Sequence, residues 1–173
     1  MKEKLTIVKV GGAVVEDEAQ LSQLLKDFSA IDGKKVLVHG GGRRATQVAA
    51  SLGIESKMVG GRRITDADML NVVTMVYGGL VNKNVVARLQ ALGCDAIGLT
   101  GADANILLSN KRPLKNGIDY GFVGDVKQAN GTKITHFIEA LTLLSIITGS
   151  YVRFISQTGI MVCLLKSTNG ITR

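Results

Sequence analysis

The chain has 173 residues, the size of one domain, and combines 46% hydrophobic residues with only 4% aromatic ones. No apolar run reaches the roughly 18 residues of a membrane span, and no signal peptide opens the sequence, so we expect a cytoplasmic protein with no membrane partner. The net charge of +7 is spread thinly, and few aromatic side chains could stack on bases, so we expect no nucleic-acid partner. The two cysteines, Cys94 and Cys163, have no metal-ligand spacing with the two histidines, and no metal site is predicted.

The first elements predicted are two buried strands separated by a helix. Residues 5–10 form an almost continuous apolar run, typical of a strand covered on both faces. A helix follows, with acidic residues 16–18 in its first turn and Gly33 after its end. Apolar residues at helical spacing mark its buried face: Leu21, Leu24, Leu25, Phe28 and Ile31. The second strand covers residues 36–38 and ends at His39.

The middle of the chain predicts a short helix, a hairpin and a long helix. The short helix covers residues 44–52, and "KMVGGRRIT" has the pattern of a β-hairpin. Thr65 and Asp68 have the spacing of a capping box at the start of the long helix. The apolar stripe of that helix, which a glycine pair interrupts, consists of Met69, Val72, Val73, Val76, Leu80, Val85, Leu89 and Leu92.

Further strands complete the predicted fold. "CDAIGLTG" is a third buried strand that runs into a glycine turn, and residues 104–126 form two short strands around Pro113. Strands that alternate with helices predict an α/β fold with a mainly parallel sheet between helix layers. After residue 130 the pattern changes to apolar stretches with helix or strand character. We therefore divide the chain into residues 1–130 and a divergent tail, residues 131–173.

Three glycine turns follow the predicted strands, at Gly11–Gly12, Gly40–Gly42 and Gly98/Gly101. Ligands of α/β sheets bind beyond the carboxyl ends of the strands, and glycine lets backbone N–H groups approach an anion closely there. One glycine pair alone is most simply a tight turn, whereas three turns at one edge favour a site for more than one anionic group. Neither a Walker A nor a GxGxxG motif is present.

Basic residues beside these turns are candidates for binding the anions. Lys9 lies in an apolar strand, where a charge is costly without a counter-ion, although a lysine near a strand end can also extend to solvent. Arg63, in the hairpin, could bind a carboxylate through two parallel hydrogen bonds. Arg43 and Arg62 fit a solvated basic face, and His39 fits a strand-end histidine with a satisfied ring.

Five motifs occur in one order and spacing: "KVGGAV", "VHGGG", "GGRRIT", "LVNKNVVARL" and "AIGLTGAD". With them, residues 4–129 strongly resemble the acetylglutamate kinases of the amino-acid kinase family. The resemblance implies a three-layer αβα sandwich whose N-terminal half binds the acyl-amino acid and whose C-terminal half binds ATP. It also implies a homo-oligomer that transfers a phosphoryl group from ATP, with Mg²⁺, to the side-chain carboxylate of N-acetyl-L-glutamate, or of another N-acyl-glutamate, in arginine biosynthesis.

The same resemblance implies a role for each candidate site residue. Lys9 is the catalytic residue, which neutralises charge on the phosphoryl group, and Gly11–Gly12 offer N–H groups to the phosphates. Gly41–Gly42 hold the acyl-glutamate, and Arg63 binds its α-carboxylate.

The resemblance stops near residue 130. The family's Thr-His-Asp-Gly turn, its Asn-x-Asn-Ala-Asp segment, and the aspartate and second lysine of its nucleotide half are not recognisable in residues 131–173. We therefore expect a truncated fold, produced by truncation or by a change of reading frame. The alternative to a kinase is a catalytically incomplete acyl-glutamate-binding or dimerising module that lacks the ATP half.

Overall fold

The computed structural model of the chain describes residues 4–140, 155–156 and 161–166. The strands are β1 (Leu5–Val10), β2 (Lys34–His39), β3 (Met58–Val59), β4 (Arg62–Arg63), β5 (Asp95–Thr100), β6 (Leu107–Lys111), β7 (Val123–Ala129), β8 (Ile155–Ser156) and β9 (Met161–Lys166). The helices are α1 (Gly12–Glu16), α2 (Glu18–Ser29), α3 (Gly42–Ser51), α4 (Ala67–Val73), α5 (Asn82–Ala91) and α6 (Gly131–Ala140), with a π-helical segment at Thr74–Val81 and a 3₁₀ turn at Asp103–Asn105.

One four-stranded sheet, in the order β1-β2-β9-β5, determines where the candidate site lies. β1 is parallel to β2, and β9 is antiparallel to both β2 and β5. β1, β2 and β5 therefore run in one direction. Val10 pairs with His39, and Met161 pairs with both His39 and Thr100, so the three carboxyl ends lie along one edge. The predicted mainly parallel sheet and its common edge are confirmed.

Helices cover the sheet on both faces, as the sequence predicts. On one face, α2 and α5 pack against the strands through a core that contains Leu25, Phe28, Leu37, Leu89 and Ala96. On the opposite face, Ile138 of α6 packs with Val36, Leu99 and Ile106. Each fully buried leucine or phenylalanine contributes about 1.5–3 kcal/mol through the loss of apolar surface to water. Each face of the sheet is therefore held to its helices by its own, mainly aliphatic, core.

β1 departs from the prediction that it is covered on both faces. Val10 is buried, but Leu5 is 43% exposed and Ile7 is 64% exposed. Side chains alternate along a strand, so these two residues share the face of the sheet that α6 covers further along. In the described part of the chain, β1 pairs only with β2, and α6 does not extend over it. The prediction of two covered faces is therefore wrong for these residues.

The long helix is continuous but contains a π-helical segment. The predicted stripe continues from Val76 through Leu80 to Val85, yet Leu80 is 48% exposed and Val81 is buried in its place, whereas Val85 is buried as predicted. A π-helical turn takes one more residue than an α-helical turn, so it shifts the buried stripe by one position. The predicted burial of Leu80 is therefore wrong, and the backbone conformation is the reason.

The start of the long helix also differs from the predicted capping box. Asp66, and not Thr65, is the N-cap residue, and its carboxylate accepts a hydrogen bond of 2.9 Å from the Met69 backbone nitrogen. Aspartate is among the best N-cap residues because its oxygen satisfies a free N–H group of the first turn. Thr65 is instead tied to a neighbouring loop, since its nitrogen donates to the Tyr120 carbonyl and its carbonyl accepts from Phe122.

The remaining elements agree with their predicted types. β3 and β4 form the hairpin, with positive φ at Gly60 and Gly61 in its turn, and β6 pairs with β7 around the Pro113 loop. Most of the predicted tail lies outside the described residues, so its division from residues 1–130 stays a prediction. No helix in the described ranges is long and apolar enough to cross a membrane.

Candidate functional site

Two glycine turns meet at the carboxyl edge of the sheet. Gly11 follows β1 and is the N-cap of α1, whereas Gly41 follows β2 and is the N-cap of α3. A Cβ atom built on Gly12 would lie 3.8 Å from the Gly42 nitrogen and 3.9 Å from the Gly41 nitrogen. The backbones of the two turns are therefore separated by about the space of one methyl group. This close approach places backbone nitrogens from two strand ends near each other, as an anion site requires.

An acidic side chain lies at the start of α3. Glu16 Oε1 accepts a hydrogen bond of 2.8 Å from the Arg44 backbone nitrogen. Glu16 was expected in the first turn of the helix that contains Leu21, but it ends α1 instead, and Asp17 caps α2 by accepting from Gln20. A carboxylate near a helix N-terminus is favoured by the helix dipole. One of the free backbone N–H groups at the N-terminus of α3 is thus paired with a side chain of the same protein.

Arg63 reaches from β4 to the second glycine turn. Its Nη2 atom donates to the Gly42 carbonyl at 2.8 Å and to the Thr46 hydroxyl, and its Nε atom donates to the Ser56 hydroxyl at 2.9 Å. Arg63 is half-buried, whereas its neighbour Arg62 is exposed. The hairpin therefore turns Arg63 towards α3 and Arg62 towards solvent.

Tyr77, which the sequence analysis did not single out, lies against the same turn. Its Cδ1 atom would be 2.9 Å from a Cβ atom built on Gly41, so the ring occupies the space beside that glycine. Its hydroxyl is in a side-chain hydrogen bond with Arg63. Burial raises the pKa of Tyr77, and the Arg63 charge partly opposes this shift. The scarcity of aromatic residues, with three tyrosines in the whole chain, was the signal available in the sequence.

A pocket of about 220 Å³ opens between these groups. Gly42, Arg63, Tyr77 and Phe122 are among its lining residues. One side thus carries a cation beside a glycine turn, and another side is aromatic. Such a combination can hold a small molecule that has both an anionic and an apolar part.

Lys9 is close to the edge but not in the pocket. It is exposed, one residue before the end of β1, and pairs in register with Val38. Among the residues that the structure describes, its ammonium group has no hydrogen-bond or ion-pair partner. Arg43 is also exposed, in the first turn of α3. Two arginines of the hairpin therefore line the pocket, of which Arg63 is half-buried and hydrogen-bonded and Arg62 is exposed, whereas Lys9 and Arg43 are exposed beside the two turns.

His39 is buried at the end of β2, with 2% exposure. Its Nδ1 atom lies 3.1 Å from the Gly40 carbonyl and donates to it in the neutral ring, while Nε2 has no partner in the described part of the chain. Burial lowers the pKa of His39 below its ordinary value of 6.5. The ring is therefore neutral at pH 7 and only half satisfied, which differs from the fully satisfied ring expected.

The third glycine turn packs against neighbouring side chains and does not join the other two turns as a further set of backbone N–H donors. Gly98 lies inside β5, where a Cβ atom would come within 1.9 Å of the Asn82 side-chain oxygen. Gly101 follows the strand, and a Cβ atom there would come within 3.0 Å of Leu107. Gly98 is thus required by its neighbour, and Gly101 is closely packed against a side chain. The predicted meeting of three turns reduces to a meeting of two.

Comparison with known proteins identifies the family. The model of the amino acid kinase family matches residues 4–167. The chain belongs to the amino acid kinase family. It is 72% identical over 130 residues to an acetylglutamate kinase of Phocaeicola vulgatus, which covers 75% of this chain and 50% of the relative. It is 67% identical over 138 residues to an acetylglutamate kinase of Bacteroides fragilis, covering 80% of this chain and 52% of the relative. The chain thus spans about half the length of these curated relatives.

Solved structures support the same fold. A Streptococcus mutans protein, smu.665, superposes with a TM-score of 0.62 at 26% identity and covers 79% of this chain and 55% of that one. An N-acetylglutamate synthase of Neisseria gonorrhoeae, solved with coenzyme A and N-acetyl-glutamate, superposes with a TM-score of 0.58 at 20% identity and covers 79% of this chain and 31% of that one. The amino-acid kinase fold predicted from the motifs is therefore confirmed.

Proposed function

We propose that this chain is the acyl-glutamate-binding half of an acetylglutamate kinase, which phosphorylates the side-chain carboxylate of an N-acyl-L-glutamate with ATP and Mg²⁺ as co-substrates. The observation that supports it most is the close approach of the Gly12 and Gly41–Gly42 turns beside Arg63. Two anionic reactants need two adjacent sets of N–H donors, because phosphoryl transfer depends mainly on positioning and on charge stabilisation. The named relatives do not favour the alternative of a separate, non-catalytic binding module.

In this proposal the edge of the sheet divides into two parts. Gly41 and Gly42 hold the acyl-glutamate, with Arg63 on its α-carboxylate and the aromatic wall against its acyl group. Gly11 and Gly12 donate N–H groups to the transferred phosphate, and exposed Lys9 neutralises the charge that develops on it. Assembly as a homo-oligomer in the cytoplasm is part of the same proposal.

Titration of the full 173-residue chain with N-acetyl-L-glutamate tests the binding half of the proposal. Arg63→Lys should weaken binding by about 1–3 kcal/mol, because a point charge replaces a planar group with several donors. Arg62→Lys is the matched control in the same hairpin: Arg62 also lines the pocket but is exposed, and lysine keeps its charge, so the dissociation constant should change less than about twofold. Equal effects of the two substitutions, or no binding by the unmodified chain, would contradict the proposal.

An assay of ADP release from ATP and N-acetyl-L-glutamate, with the C-terminal half of a related acetylglutamate kinase supplied in trans, tests the catalytic part of the proposal. Lys9→Ala should lower turnover by about 10²–10³, the usual cost of losing one group that stabilises transition-state charge. Its dissociation constant for N-acetyl-L-glutamate should stay close to that of the unmodified chain, because Lys9 does not line the pocket. A chain that binds N-acetyl-L-glutamate without releasing ADP would instead support the non-catalytic module.

A further inference from the structure

Tyr77 occupies an unusual position on its helix. It lies in the π-helical segment Thr74–Val81, between buried Val76 and the glycine pair Gly78–Gly79. Such segments are uncommon and occur often at functional sites, because the additional residue redirects a side chain without breaking the helix. Here the redirected stretch lies beside the pocket, and Tyr77 is the pocket-lining residue that it contributes.

The ring and the hydroxyl of Tyr77 contact two different parts of the anion site. The ring packs against the backbone of Gly41, where even a methyl group would meet Cδ1 at 2.9 Å and Cε1 at 3.1 Å. The hydroxyl oxygen accepts a hydrogen bond from Arg63, which also donates to the Gly42 carbonyl at 2.8 Å. A single side chain therefore links the glycine turn to the cation beside it.

We propose that Tyr77 is a positioning residue of the acyl-glutamate site, whose hydroxyl holds the Arg63 guanidinium against Gly42 while its ring fixes the backbone of Gly41. This inference rests on the proposed function for the identity of the ligand. Its physical basis is pre-organisation: an arginine that is already ordered loses less side-chain entropy when it binds a carboxylate. The same guanidinium also donates to the Thr46 and Ser56 hydroxyl groups, so Tyr77 adds to a set of contacts that already orders it.

Tyr77→Phe tests the inference because it removes only the hydroxyl. It should raise the dissociation constant for N-acetyl-L-glutamate about five- to twenty-fold, since it removes a hydrogen bond to a charged group. Tyr120→Phe is the matched control, because Tyr120 is a buried tyrosine that does not line the pocket. The dissociation constant of the Tyr120→Phe variant for N-acetyl-L-glutamate should stay within about twofold of that of the unmodified chain.

A double-mutant cycle distinguishes positioning from a general effect on the fold. If Tyr77 acts through Arg63, then Tyr77→Phe should add less than about twofold in an Arg63→Lys background. A full additional five- to twenty-fold loss in that background would overturn the inference, as would an unchanged dissociation constant for Tyr77→Phe alone.

The mobility of Arg63 in the ligand-free chain gives a second test that needs no ligand. The Nε–H group of Arg63 should exchange with water faster in Tyr77→Phe than in Tyr120→Phe, as measured by NMR at equal temperature. Equal exchange would overturn the positioning role. If the unmodified chain does not bind N-acetyl-L-glutamate, the proposed function fails, and this measurement still decides the role of Tyr77.

Discussion

Among individual residues, Asn82 and Gly98 show how closely α5 approaches β5. Asn82 is fully buried, and neither its side-chain oxygen nor its nitrogen has a partner in the described residues. A Cβ atom on Gly98 would overlap the Asn82 oxygen at 1.9 Å. Position 98 must therefore be glycine, because the side-chain amide of Asn82 occupies the space of a Cβ atom. The Asn82 side chain can lie there only because Gly98 has no side chain.

Gly98→Ala should destabilise the chain by about 1–3 kcal/mol, the usual cost of adding a group to a filled core. Combining it with Asn82→Ala, which makes room for the methyl group, should cost less than the sum of the two single changes. Urea denaturation of the four proteins measures this. Gly79→Ala is the control, because a Cβ atom on Gly79 would have no neighbour within 4 Å. Additive costs at Gly98 and Asn82 would show that the two do not compete for space.

His39 predicts how stability depends on pH. Burial lowers its pKa in the folded chain below 6.5, so between these two pKa values the unfolded chain binds more protons. The free energy of unfolding should therefore decrease as the pH falls below about 6.5, by at most about 1.4 kcal/mol per pH unit. Urea midpoints at pH 7.5 and pH 5.5 measure this decrease. His39→Gln should reduce it, whereas His136→Gln, at an exposed histidine, should leave it unchanged; equal reduction by both would contradict the assignment.

At the scale of the elements, the π-helical segment determines which side chains of the long helix reach the core. Leu80→Ala should change the free energy of unfolding by less than about 0.5 kcal/mol, because its side chain is 48% exposed. Val81→Ala should cost about 1–3 kcal/mol, because its side chain is 7% exposed and packs in the core. Chemical denaturation compares the two, and the reverse order would mean that the helix keeps a regular α-helical stripe.

The elements also show what the sequence could and could not predict. β1, α2, β2 and the hairpin were predictable because their apolar periodicity and glycine boundaries are local. The meeting of the Gly12 and Gly41–Gly42 turns followed from the parallel direction of two strands. The π-helical segment was not predictable, because an additional backbone residue per turn has no compositional signal, and the orientation of Tyr77 depends on it. The insertion of β9 was not predictable either, because its segment has both helix and strand character.

For the whole molecule, the uncovered face of β1 favours association. Leu5 and Ile7 are adjacent on one face of a strand that, among the described residues, pairs on one side only. Ile7→Lys should therefore shift the chain towards smaller species in size-exclusion chromatography with light scattering, because a charge on an apolar edge opposes pairing. Leu114→Lys, at a residue that is 68% exposed outside this strand, should leave the size distribution unchanged. An identical mass distribution for both variants and the unmodified chain would exclude this face as the contact.

The place of β9 between β2 and β5 has a consequence for the order in which the chain can become functional. β2 and β5 share no hydrogen bonds with each other in this sheet; both pair with residues 161–166, which are synthesised long after either strand. A nascent chain that has emerged only as far as α6 therefore lacks the strand that joins β2 to β5, and a gap remains between these two strands. Closing that gap means closing a long loop, which slows folding. The end of β5 is joined to the edge that carries the two glycine turns only at this last step, because β1 and β2 already pair directly with each other. Until then the open gap can accept a strand from another chain.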